Sequence, residues 1–152
     1  MDTKQQMIQK ARSVKQIRNP ESFVKSLPAN FDGIFDWDWL QGAFKKTKIM
    51  PTDIDGMVER NNHFLIFETK GVGAKVQDGQ RYTFESLIRT RYFTVIVFWG
   101  DEVEDWTAYL SKGDVIHGKG KESAFNLVRD WFAFVDTKYD KLGNLKDTTV
   151  GF

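Results

Sequence analysis

Two runs of apolar residues stand out along the chain: FLIF at 64–67 and the longer RYFTVIVFW at 91–99. Neither alternates with polar residues over its centre, so each predicts a strand buried on both faces in the middle of a sheet. The first run lies inside a strand predicted over His63–Lys70, ended by Gly71 and Gly73. A partner strand is predicted over Thr52–Arg60. Asn61-Asn62 between the two is a hairpin turn, because asparagine tolerates positive φ. WTAYL (106–110) alternates and predicts an edge strand, entered from an acidic turn at Gly100–Asp105.

The remaining apolar residues keep helical spacing. Met7, Ile8, Ala11, Val14 and Ile17 form one stripe among Lys4, Lys10, Arg12, Lys15 and Arg18, and Asn19-Pro20 breaks it. A short second helix starts at Pro20, capped by Asn19, with Phe23, Val24 and Leu27 inward, and ends before Pro28. A third runs from Asp78 to about Thr90 with Phe84, Leu87 and Ile88 on its inner side. Ser123 is the expected cap of a last helix, AFNLVRDWFAFVD, with Phe125, Val128, Trp131, Phe132 and Val135 inward. FDGIFDWDWLQGAF (31–44) predicts an ordered loop or short strand. The tail from Lys138 is polar and predicts little structure. The order α, β, β, α, β, β, α is that of a mixed α/β domain with a central sheet.

A chain of 152 residues fits one domain, here with a core over about 20–135, a basic N-terminal helix over 1–18 and a polar tail over 138–152. Thirteen Phe and five Trp predict a ring-rich core. No apolar run approaches membrane-span length, MDTKQQMIQKAR is too polar for a signal peptide, and there is no cysteine, so the cytoplasm is the expected location. The net charge is +1, yet residues 1–50 hold nine Lys and Arg against five Asp and Glu, a surplus compatible with a polyanionic partner.

Charge at the ends of the two hairpin strands is the chemically telling feature. Residues two apart on a strand share a face. Asp53 and Asp55 are thereby expected to point one way on the first strand, and Glu68 and Lys70 one way on the second. The hairpin then brings two carboxylates and a lysine to one sheet edge, beside the Thr69 carbonyl. Hard oxygen donors in that arrangement suit Mg²⁺, which binds through one or two carboxylates and keeps several waters. A structural salt-bridge cluster is the competing reading. His63 and His117 lack ligand spacing.

Asp55 followed by Glu68-Thr69-Lys70 resembles the signature of the PD-(D/E)XK nuclease superfamily, although Pro51 stands further from Asp55 than the name implies. The resemblance covers roughly residues 20–100. It implies a restriction-endonuclease-like core, metal held by Asp55, Glu68 and the Thr69 carbonyl, and Lys70 as the catalytic lysine. It also implies a supporting glutamine at Gln80 and an acid on the first helix at Glu21, with Asp53 as further support. Mg²⁺, for which Mn²⁺ substitutes, is the implied cofactor, and DNA the partner. The Lys45, Lys46, Lys48 cluster and Arg81 are candidate backbone contacts, and a ring around Trp37 is either core or a base-stacking surface. With no base-reading motif visible, junction-, flap- or end-directed cutting is expected rather than sequence-specific restriction. The resemblance further suggests a homodimer and a bacterial or phage DNA-processing role. A non-catalytic nucleic-acid-binding protein retaining the fold is the alternative.

Overall fold

The FLIF run becomes the second strand of a five-stranded sheet in a computed structural model of the chain, which describes residues 3–13, 19–26, 37–49, 51–147 and 150–152. Contacts divide the chain into two units, Met1–Thr52 and Asp53–Phe152.

In the first unit, α1 (Lys4–Ser13) and α2 (Pro20–Ser26) bury Ala11 against Val24, with Met7, Ile8 and Phe23 around them. Arg12 reaches Glu21 at 2.7 Å. The Phe23 amide donates to the Asn19 carbonyl at the start of α2. Val14, Ile17, Leu27 and the FDGIFD stretch lie outside the described residues. A single 3₁₀ turn, Asp38–Leu40, follows, then a run of turns through the exposed Lys45, Lys46 and Lys48. The expectation that the tryptophans here are core is corrected for Trp39, which is 69% exposed. One 3₁₀ turn has no second face to bury.

The second unit holds the sheet, in the order β1-β2-β3-β4-β5. β1 (Gly56–Arg60) and β2 (His63–Lys70) are the expected antiparallel hairpin. Asn61 and Asn62 both take left-handed backbone, φ 50° and 59°, as a two-residue turn with the twist of its strands requires. The Asn61 side chain does a second job: its Nδ2 donates to the carbonyls of Val135 and Tyr139 at 3.0 and 3.1 Å, where the last helix ends. β3 (Phe93–Trp99) runs parallel to β2, and α3 (Asp78–Arg89) connects them. β4 (Asp105–Tyr109) and β5 (Val115–Lys119) continue antiparallel.

Three expectations about strands need correction. β1 begins at Gly56, not Thr52. β4 is interior rather than an edge, because β5 pairs along it. β5 itself carries too little apolar pattern to be read from VIHGK; pairing with β4 makes it a strand. Gly118 lets its backbone lie against the Trp106 ring, where a Cβ would stand 2.1 Å from the ring.

Each face of the sheet is covered by one helix. Ile66, Val95 and Val97 pack against Phe84 of α3, with Leu87 and Ile88 at the margin. Leu65, Ile96, Trp106 and Ala108 pack against Ala124, Trp131 and Val135 of α4 (Gly120–Lys138). Burying each large apolar side chain contributes about 1.5–3 kcal/mol. Phe125 and Phe132, expected inward on α4, instead face solvent, at 68% and 45% exposed. The buried stripe runs through Ala124, Trp131 and Val135, flanked by the half-buried Leu127, Val128 and Phe134. Nor does Ser123 cap the helix. It sits inside the first turn, donating to main-chain carbonyls and accepting from Trp106 Nε1 at 2.8 Å.

The tail is also more ordered than its polarity predicts. Tyr139 is buried and bridges to Leu145. The Asp140 carboxylate accepts from the Asn144 and Leu142 amides, bonds that hold its pKa below the usual aspartate value. The Phe152 carbonyl accepts from Ser111 Oγ and the Lys112 amide. Among the described residues no helix is long and apolar enough to cross a membrane.

Candidate active site

Ile66, Glu68 and Lys70 alternate onto the α3 face of β2, and their register partners on β3 are Val95, Val97 and Trp99. Glu68 is therefore a carboxylate set among valine and isoleucine, 6% exposed. Such a group needs a counter-charge or hydrogen bonds to remain ionised. Lys70 supplies it: its Nζ lies 2.7 Å from Glu68 Oε1, with one fifth of the side chain still exposed. The glutamate is sunk in the sheet, and its lysine stands at the rim.

Asp55 arrives from the neighbouring edge. The last ladder pair of the hairpin is Gly56↔Phe67, and Asp55 bends away before the next. Beyond that point its carboxylate replaces the missing strand. Oδ2 accepts both from the Thr69 amide and from Thr69 Oγ1, each at 2.7 Å. In an antiparallel ladder a residue's N–H and C=O turn to the same side. Phe64 and Lys70 bond toward β3, so the Thr69 amide and carbonyl face the edge where β1 has stopped. Asp55 is thus fastened to Thr69, the residue after Glu68, at the carboxyl ends of the parallel pair β2 and β3. That is where open α/β sheets bind ligands.

Asp53 is not drawn in. It is exposed, precedes β1, and makes no hydrogen bond or ion pair with any described residue. The alternation argument fails for it because strand geometry starts only at Gly56. Correspondingly, no three His, Asp or Glu side chains cluster around a cation site among the described residues. Gln80 lies one turn before the buried Phe84 on α3, on the stripe that faces the sheet, and is half-buried. Arg81 is exposed and engaged on its own helix, 3.3 Å from both Asp78 and Glu85 and stacked over the Tyr82 ring. Glu21 belongs to the first unit, where it takes Arg12.

Two contributors escape a reading of the sequence. The Thr69 hydroxyl fixes Asp55, though the middle position of Glu-Thr-Lys gives no signal of it. Trp99 stands opposite Lys70 in the register, and its Nε1 donates to the Ala74 carbonyl at 2.7 Å, fastening the loop after β2.

Asp55, Glu68 and the Thr69 carbonyl are oxygen donors of the kind a hard divalent cation such as Mg²⁺ takes. Comparison with protein-family models, with curated proteins and with solved structures finds no match to this chain.

Proposed function

We propose that the chain is a Mg²⁺-dependent nuclease with a restriction-endonuclease-like core, hydrolysing DNA phosphodiesters at the corner formed by Asp55, Glu68, Thr69 and Lys70. The observation that carries the reading is the double hydrogen bond from Thr69 to Asp55. It holds an aspartate from the bend just before β1 against the Glu-Thr-Lys end of the neighbouring strand.

Asp55, Glu68 and the Thr69 carbonyl would hold the ion, which supplies Lewis acidity toward a phosphoryl oxygen and lowers the pKa of water. Lys70 has two duties. Without substrate its ammonium neutralises Glu68. With a phosphodiester at the rim, the same ammonium offers its remaining protons to the non-bridging oxygens, whose charge grows as the water oxygen bonds to phosphorus and the ester bond breaks. Gln80 supports the site from the α3 side. Lys45, Lys46 and Lys48 remain candidates for the DNA backbone.

Structure-directed cutting is the favoured mode. The test is an assay on branched, linear and single-stranded DNA in Mg²⁺, Mn²⁺ and EDTA. Cleavage is expected with either metal, none in EDTA, and none from Asp55→Ala or Glu68→Ala. One feature favours a second reading: Asp55 Oδ2 and Lys70 Nζ already have partners within the protein. A non-catalytic nucleic-acid-binding protein would keep those pairs permanently. Wild-type protein that binds DNA but cuts none of these substrates selects that reading.

A further inference from the structure

The opposite end of the sheet carries a second cleft, remote from Glu68 and Lys70. It measures about 650 Å³, within the range of small-molecule sites, and lies at the amino ends of β2 and β3. Its walls include His63, Tyr92, Tyr139, Arg91 and Lys112, and among the described residues no aspartate or glutamate lines it.

Two features there carry a cost within the chain. Arg91 has φ +70°. It occupies the left-handed position that ends α3, where glycine is the residue the backbone favours. Its guanidinium has one contact, to the Ser111 carbonyl at 3.3 Å, and no carboxylate partner among the described residues. The second feature is His63, 3% exposed and packed at a tilt on Tyr139 with ring centroids 3.7 Å apart. Its Nδ1 lies 3.0 Å from the Asn61 carbonyl and must be the protonated nitrogen there, which leaves Nε2 an acceptor with no hydrogen bond to a described residue. Buried acceptors are rarely left unpaired.

We propose that this cleft binds a nucleoside monophosphate. Arg91 takes the phosphate, with Lys112, whose Nζ lies 3.3 Å from Asp114 Oδ2, beside it; the partly exposed Tyr92 ring offers a stacking face for the base, and His63 Nε2 accepts from a hydroxyl or amino group of the ligand. An arginine with no carboxylate partner among the described residues selects an anion, and the tyrosine and histidine rings select a flat, hydrogen-bonding one.

The test is calorimetric titration of the full chain in EDTA with deoxyadenosine monophosphate, deoxyadenosine and inorganic phosphate. EDTA keeps the outcome independent of any metal at Asp55 and Glu68. The monophosphate is expected to bind, and the nucleoside and phosphate each at least tenfold more weakly. The deciding variant is Arg91→Gly, which relieves the left-handed backbone and should melt at or above the wild-type temperature. It is expected to lose roughly ten- to a hundredfold in affinity, the loss of a charge-assisted contact. Lys70→Ala should bind as wild type does. Absence of monophosphate binding at millimolar concentration overturns the proposal, as does Arg91→Gly binding unchanged. Inorganic phosphate binding as tightly as the monophosphate overturns the nucleotide assignment.

Discussion

Lys70→Ala separates the structural duty of the lysine from its chemical one. In the folded chain Glu68 is 6% exposed, and its ion-pair partner is the Lys70 ammonium at 2.7 Å. Removing one member of a fully buried pair costs about 3–5 kcal/mol, because the other charge is left uncompensated. Lys70 keeps one fifth of its side chain in solvent, so water enters once it is gone, and roughly 2–3 kcal/mol is the better figure here. In urea this moves the unfolding midpoint down by on the order of 1–2 M. Mn²⁺ should then act more strongly on the variant than on wild type: a cation beside Glu68 replaces the lost charge, and the melting temperature rises by mass action. Cleavage should fall by about two to three orders of magnitude even at saturating metal and DNA, since the interaction with developing charge is lost. Lys70→Arg should restore stability better than rate, because a planar guanidinium reaches the carboxylate but not the position of a compact ammonium. An unchanged urea midpoint would refute the buried-pair argument. Wild-type cutting by Lys70→Ala would refute the chemical one.

Further outcomes follow from other contacts. Asp55→Ala should abolish the Mn²⁺-induced rise in melting temperature. It should also lose about 1–3 kcal/mol without metal, because the Thr69 amide and hydroxyl lose their acceptor, so relief of repulsion with Glu68 does not make the variant more stable. Asn61→Gly keeps the left-handed turn but removes the bonds to Val135 and Tyr139; a loss of about 1–2 kcal/mol in urea unfolding is expected, and no loss would mean the turn alone matters. Burial pushes the His63 pKa below its ordinary value. The unfolded chain therefore binds more protons in acid, and the stabilisation present above about pH 6.5 is lost as pH falls toward the folded-state pKa; His63→Phe should flatten that part of the stability–pH curve. If Lys45, Lys46 and Lys48 touch phosphates, the triple alanine variant should flatten the salt dependence of DNA binding by roughly one log–log unit per contact.

Local signals determined much of this protein. FLIF and RYFTVIVFW lack polar alternation, so the sequence alone placed both in the middle of a sheet, and β2 runs over His63–Lys70 as its pattern indicates. Two asparagines in a row specified the hairpin, because few other residues accept positive φ. The stripes Phe84, Leu87, Ile88 and Trp131, Val135 marked the buried faces of α3 and α4. Glu68 and Lys70, two apart on one strand, were certain to share a face once the strand was known.

What remained was decided by partners distant in the chain. β5 is a strand because β4 offers it a ladder, and VIHGK has too few apolar residues to reveal that by itself. Phe125 and Phe132 belong to the helical pattern as well as Trp131 does, yet the sheet covers only the side of α4 that carries Ala124, Trp131 and Val135. Whether Asp53 or Asp55 is held against the end of β2 turned on where β1 begins, and the bonds from the Thr69 hydroxyl and amide, fourteen residues from Asp55, go to Asp55. The left-handed arginine and the His63 nitrogen that has no hydrogen bond to a described residue meet at one cleft only because β2, β3 and the residues after α4 converge there. Periodicity reports which face of an element is buried; it does not report which neighbour does the burying, and neighbours decide edges, bends and clefts.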